Sequence, residues 1–160
     1  MKMTDPVDLR FDLALEIFDR KIRVHYLNSG VPHAVIFVQG LDNIDVERIG
    51  RAVRFHKEFM PQGTNVDFIE VKDSNSIAVR TYERGVEGET FACGTGIAAC
   101  AVVAMLKVKL GGSRERKGVN VKTKSGDTLK VYCRVDGEGK LSNLWFEGKA
   151  YMLYKGEIPL

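Results

Sequence analysis

A chain of 160 residues can bury one adequate core and fits one domain, taken as residues 1–160. Its 24 Lys and Arg against 21 Asp and Glu leave a net charge of +3, too mild to argue for a nucleic-acid partner. The longest apolar run, around residues 97–106, is too short to span a membrane and reads as a core helix.

The chain opens with two alternating stretches. Residues 9–16 and Lys21 to Leu27 place apolar side chains on every second position, as half-buried strands do, with Asp19-Arg20 turning the chain between them. Asn28-Ser29-Gly30 reads as loop. Pro32 ends it, and His33 starts the apolar strand Ala34–Val38. From Asp45 to Phe59, Val46, Ile49 and Val53 recur at helical spacing with charges between them. This is an amphipathic surface helix, with cap candidates over Asp42 to Asp45 and a stop at Pro61-Gln62-Gly63. Val66–Val71 and Ile77–Tyr82 read as strands joined by Asp73-Ser74-Asn75, and the second delivers Glu83-Arg84.

The segment from Glu83 to Gly96 organises the chain. A charged pair precedes a Gly-rich turn, and Cys93-Gly94-Thr95-Gly96 leads into Ile97–Leu106, apolar on nearly every face. Cys93 therefore stands where a loop enters a buried helix. Backbone N–H groups there lack intrahelical partners, and the helix dipole adds partial positive charge. Both favour a thiolate and a bound carboxylate. The alternative is a small buried apolar Cys93 at a tight turn. Gly111-Gly112 stops the helix. Strands follow at Val119–Thr123, Thr128–Val135, Leu141–Glu147 and Ala150–Tyr154, with hairpin turns at Ser125-Gly126-Asp127 and Asp136-Gly137-Glu138-Gly139. The expected class is α+β, mostly antiparallel.

Three cysteines, Cys93, Cys100 and Cys133, show neither metal-ligand spacing nor a C-x-x-C pair. An odd number of them and no leader-like segment lead to the expectation of free thiols in the cytoplasm. Cys100 follows Cys93 by two helical turns, roughly 10 Å along the axis, and reads as core, as does Cys133 within its strand. The basic stretch Lys107–Lys124 reads as a solvated loop, since no aromatic residues interleave it.

Several side chains carry two readings. Arg84 offers a bidentate fork for a distant carboxylate, or an ion pair with Glu83 or Glu87. Asn65 can meet an amino-acid head group, or serve as a turn residue at a strand start. His33 can orient a thiol, or be a structural histidine.

The segments Glu83-Arg84-Gly85 and Ala92-Cys93-Gly94-Thr95-Gly96 resemble the second cysteine motif of the diaminopimelate epimerase family. Gly30-Val31-Pro32-His33, Gly63-Thr64-Asn65-Val66-Asp67-Phe68 and Trp145-Phe146-Glu147-Gly148 agree with it in order. The resemblance covers most of the chain but only the second half of the family's pattern; the Cys-Gly-Asn-Gly motif of the first half, the N-terminal domain, is absent from the 160 residues. It implies a curved sheet closing around one central helix. It also implies interconversion of LL- and meso-diaminopimelate with no cofactor: no pyridoxal phosphate, metal or nucleotide. Cys93, Glu83 and His33 are the implied catalytic residues. Asn65, Glu83, Arg84, Gly94 and Thr95 are the implied binding residues. The expected partners are an amino-acid substrate and the missing N-terminal half, on the same or a separate chain, with a homodimer as one option and no nucleic acid or membrane. One departure stands out: Val31 replaces the Asn that many members use toward the distal end of the substrate, and Asn28 is the nearby substitute. The rivals are a related two-domain isomerase with another substrate and a non-catalytic binding fragment.

Overall fold

A computed structural model of the chain describes residues 1–112 and 117–157. The alternating stretches form a hairpin, β1 (Val7–Ile17) and β2 (Arg20–Asn28), paired antiparallel through the register Leu13 to Val24 and Leu15 to Ile22. Its turn is Phe18-Asp19, both left-handed at φ 49° and 60°. β3 (Pro32–Phe37) adds antiparallel to β2. The chain then leaves the sheet through a 3-10 turn and α1 (Val46–Arg54). Asp45 caps α1 by accepting from the Arg48 N–H at 3.1 Å. The expected helix over 45–59 ends early, and Lys57–Phe59 is a separate 3-10 turn.

β4 (Asn65–Asp73) returns parallel to β3, and β5 (Ser76–Glu83) pairs antiparallel to β4. The expected loop after Glu83 contains a short strand, β6 (Gly88–Thr90), on β5. α2 (Gly94–Lys107) follows. β7 (Lys117–Lys122) pairs parallel to β5, and β8 (Thr128–Val135) and β9 (Leu141–Glu147) complete the order β1-β2-β3-β4-β5-β7-β8-β9. The result is a mixed α+β fold of nine strands and two α-helices among the described residues.

Two expectations need correction. The sheet does not close: its path ends at β1 and β9. Residues 1–3 reach β9 through an isolated Lys2–Trp145 bridge, while β1 breaks register where Asp8 and Asp12 take left-handed backbone at φ 54° and 60°. Such bulges bend a strand and interrupt edge pairing. Nor is Ala150–Tyr154 a strand: it is unpaired, and Tyr151, Met152, Leu153 and Tyr154 are exposed. A strand needs a neighbouring edge, and none among the described residues meets it. The basic stretch loses residues 113–116 from view, since they lie outside the described residues.

Alternation on β3 and β4 sorts their side chains into two cores. Val35 and Ile69 join α2, β7 and β8 in one cluster, whereas Ala34, Ile36, Val66 and Phe68 join Val46 and Val53 of α1 in the other. Every residue of α2 from Gly96 to Met105 is buried, and the helix packs against β2, β3, β4, β5, β7 and β8. α1 is amphipathic, burying only Val46, Gly50 and Val53.

Candidate functional site

β3 and β4 run in register, with His33 beside Asn65 and Val35 beside Asp67. His33, Asn65 and Asp67 therefore lie on the face that meets the first turn of α2. The chain reaches that turn from β6, and Cys93 is the N-cap of α2, extended at φ −124°. Two ion pairs fix the approach. Arg54 of α1 donates to the Glu87 carboxylate at 3.0 and 3.1 Å, and Arg80 pairs with Glu89 at 2.7 Å.

A chain of polar contacts starts at the bottom of the site. Asp67 is fully buried. Its Oδ1 accepts from the Thr81 hydroxyl at 2.7 Å, and its Oδ2 lies 2.7 Å from His33 Nδ1. His33 Nε2 is 3.0 Å from Thr95 Oγ1, which is 3.4 Å from Cys93 Sγ. Gly96 makes this packing feasible. A Cβ there would stand 2.6 Å from Asp67 Oδ1 and 3.2 Å from His33 Cε1. Above, Ser29 Oγ donates to the Thr95 carbonyl at 2.9 Å and ties the β2–β3 loop to the helix start.

Of the expected residues, His33, Thr95 and Cys93 come together in this chain, though His33 reaches the thiol through Thr95 rather than directly. Glu83 stands half-buried at the end of β5, close enough for its charge to act on Cys93. Gly94 is exposed, with open space where a side chain would be. Asn65 is buried and satisfied internally: its Oδ1 accepts from the Arg84 N–H at 2.8 Å and its Nδ2 donates to the Pro32 carbonyl at 3.0 Å. It thus joins the β3 start to the Glu83-Arg84 corner. Arg84 Nη1 donates to the Gln62 carbonyl at 3.1 Å, and the ion pair of Glu87 is with Arg54. Asn28 accepts from the Gly30 N–H at 2.9 Å, a local turn contact.

The expected thiolate preference is reversed. Burial pushes the Cys93 thiol up from its ordinary value, and the Asp67 charge adds to it; the Thr95 hydroxyl and Gly96 amide oppose, and Glu83 pushes upward again. Cys100, fully buried, is raised well above the ordinary range by burial first. Cys133 is buried and gives its S–H to Met105 Sδ at 3.2 Å. Cys93 alone of the three is partly open to solvent.

Asp67 and Thr81 were not singled out from the sequence. The available signal was a lone carboxylate inside the otherwise apolar run Val66–Ile69, which a folded strand tolerates only with partners. Among the described residues, no group of three or more His, Cys, Asp or Glu side chains is placed to hold a metal ion. No described helix is long and apolar enough to cross a membrane.

The family model for diaminopimelate epimerase matches residues 25–152. The chain belongs to the diaminopimelate epimerase family. The diaminopimelate epimerase of Aquifex aeolicus is 44% identical over 133 residues, covering 83% of this chain and 45% of the relative. That of Chlorobaculum tepidum is 38% identical over 160 residues, covering 100% of this chain and 58% of the relative. The chain thus spans about half the length of the relatives it matches. Among solved structures, a probable proline racemase from Agrobacterium radiobacter superposes with a TM-score of 0.69 at 12% identity, over 99% of this chain and 52% of that one. The likeness is one of fold.

Proposed function

We propose that this chain is one domain carrying one acid–base face of a cofactor-independent amino-acid epimerase, an isomerase that interconverts LL- and meso-diaminopimelate for lysine and cell-wall precursor synthesis in the cytoplasm. The observation that carries the reading is the partly open Cys93 thiol at the N-cap of α2, backed by the buried Thr95–His33–Asp67 chain.

Inverting an α-carbon requires a proton to leave one face and another to arrive on the opposite face. Cys93 serves one face. The Gly94 and Thr95 N–H groups, at the open start of α2, receive the α-carboxylate and stabilise the charge that grows on it as the α-proton leaves. Arg84 answers the distal carboxylate from the rim, where Val31 offers no hydrogen bond. Asn65 acts by holding the Glu83-Arg84 corner. Glu83 and His33 act on the thiol from either side, one by charge and one through Thr95.

The opposite face needs a second acid–base group. Cys100 and Cys133 are buried in the core and unsuited to it. The second thiol comes in this reading from a partner half, on the same or another chain. The test is turnover of LL-diaminopimelate, followed by circular dichroism, with and without the first half of the Aquifex aeolicus relative. The chain alone is expected to be inactive and the mixture or fusion active. Rapid inversion by the 160-residue chain alone would refute the assignment of a single face.

A further inference from the structure

Asp67, at the base of the site, moves no proton in the reading above, yet its contacts run to the reactive sulfur. Asp67 Oδ1 takes the Thr81 hydroxyl and Oδ2 faces His33 Nδ1, with neither Asp67 nor His33 exposed. An ionised carboxylate can only accept, so the proton between it and the ring belongs to Nδ1. If the ring is neutral, that is its one N–H, and Nε2 is then an acceptor. The group facing Nε2 at 3.0 Å is the Thr95 hydroxyl, which donates to a neutral ring of this tautomer. The Thr95 oxygen then has only lone pairs left for Cys93 Sγ, 3.4 Å away.

We infer that Asp67 is a positioning residue: by keeping the His33 proton on Nδ1 it orients the Thr95 hydroxyl inward, so that Cys93 rests as a thiol donating its S–H to Thr95. The inference rests on the proposed role of Cys93 as an acid–base group and adds its resting form. Every hydrogen bond in the chain then points one way, from sulfur to carboxylate. Burial and the Asp67 and Glu83 charges act in the same sense, against the hydrogen bonds that Thr95 and the Gly96 amide offer the sulfur. A cysteine arranged this way begins a turnover as the proton donor, and its face begins as a base only after it has given its proton away.

Two measurements on the 160-residue chain test this without turnover, so they can fail while the epimerase reading stands, and the reverse. In the first, nitrogen-15 NMR of labelled histidines reads the tautomer directly. His33 is expected to carry its proton on Nδ1 at about pH 8, above the ordinary histidine pKa. A proton on Nε2 would overturn the inference. In the second, the pH profile of Cys93 alkylation is compared between the wild type, Asp67→Asn and Thr95→Ser. Loss of the carboxylate should move the Cys93 profile to lower pH and speed labelling near neutrality several-fold. Thr95→Ser, which keeps the hydroxyl, should track the wild type. Silence of Cys100 and Cys133 reports that the core is intact. An Asp67→Asn profile superimposed on the wild type, with the core intact, would overturn the inference; should that variant fail to fold, the tautomer measurement decides alone.

Discussion

His33 Nδ1 and Asp67 Oδ2 meet at 2.7 Å with neither side chain exposed to solvent. Strand pairing makes this possible. The parallel register of β3 and β4 sets Asp67 beside Val35, two residues along from His33, on the face that meets α2. A buried polar pair of this kind is tolerated only where both ends find partners, and Thr81 and Thr95 supply them.

The tight fit above that pair makes Gly96 the most sensitive glycine of the site. Within a helix, alanine is favoured over glycine by about 1 kcal/mol. Here its Cβ would press on Asp67 Oδ1, which cannot swing aside without giving up Thr81 or His33. Overpacking costs about 1–3 kcal/mol. Gly96→Ala is therefore expected to lower stability on balance and to disturb the Cys93 environment. Urea unfolding with alkylation of Cys93 in parallel checks both; a variant as stable as the wild type would show that the polar cluster is slack.

Cys93 should be the first thiol to react. Cys100 and Cys133 are 0% and 1% exposed, whereas Cys93 is partly open. Its raised titration makes labelling slow at neutral pH and faster as pH rises, since the thiolate is the nucleophile. Peptide mapping after brief iodoacetamide treatment at two pH values checks the order and the direction.

A separate histidine adds a pH response of its own near neutrality. His25, 3% exposed, lies against Phe11 and Phe37, and its Nδ1 accepts from the Asp12 N–H at 3.2 Å. Burial lowers its affinity for a proton; Asp12 opposes this, while Lys107 and Arg23 reinforce it. The folded chain then refuses a proton that the unfolded chain accepts below about pH 6.5. Stability is therefore complete above that value and falls as the pH drops through it. Denaturant titrations at pH 7.5 and 5.5 (two values on the order of one unit either side of the ordinary histidine pKa) should show the loss, and His25→Gln should flatten it. Equal stability at both values in the wild type would contradict the account.

Most strand positions and both helices were legible in the sequence because hydrophobic pattern reports which face is buried, whereas the parallel pairings of β3 with β4 and β5 with β7 were not. β1 and β2 follow the alternation, β3 and β4 follow short apolar runs, and α2 follows an apolar run with a glycine stop. The misses share a cause, namely dependence on a partner that local pattern does not contain. Ala150–Tyr154 alternates like a strand but has no edge to join, and closure of the sheet failed where Asp8 and Asp12 bend β1. In the candidate site, the motif residues Cys93, Thr95 and His33 lie together, while Asp67, marked in the sequence only by its apolar neighbours, finds its partners once β4 pairs with β3. Asn65, expected at the substrate, proved to be tied to backbone on both sides.

Two apolar side chains between β5 and α2 stand open to solvent. Phe91 and Val86 are 72% and 62% exposed, and burying such a side chain is worth about 1.5–3 kcal/mol. Sedimentation equilibrium over a concentration series should show self-association, a homodimer being the simplest closed form. Phe91→Ser should weaken it. A strictly monomeric wild-type chain at high concentration would mean that these side chains need no partner.

The central claim is that Cys93 exchanges the α-proton on one face of the substrate. Its most direct test is inversion of LL-diaminopimelate in deuterated water by the chain joined to the first half of the Aquifex aeolicus relative, comparing wild type, Cys93→Ala and Cys100→Ala. The account predicts inversion with deuterium at the α-carbon for the wild type and Cys100→Ala, and loss of inversion for Cys93→Ala. Inversion at wild-type rate by Cys93→Ala would contradict it.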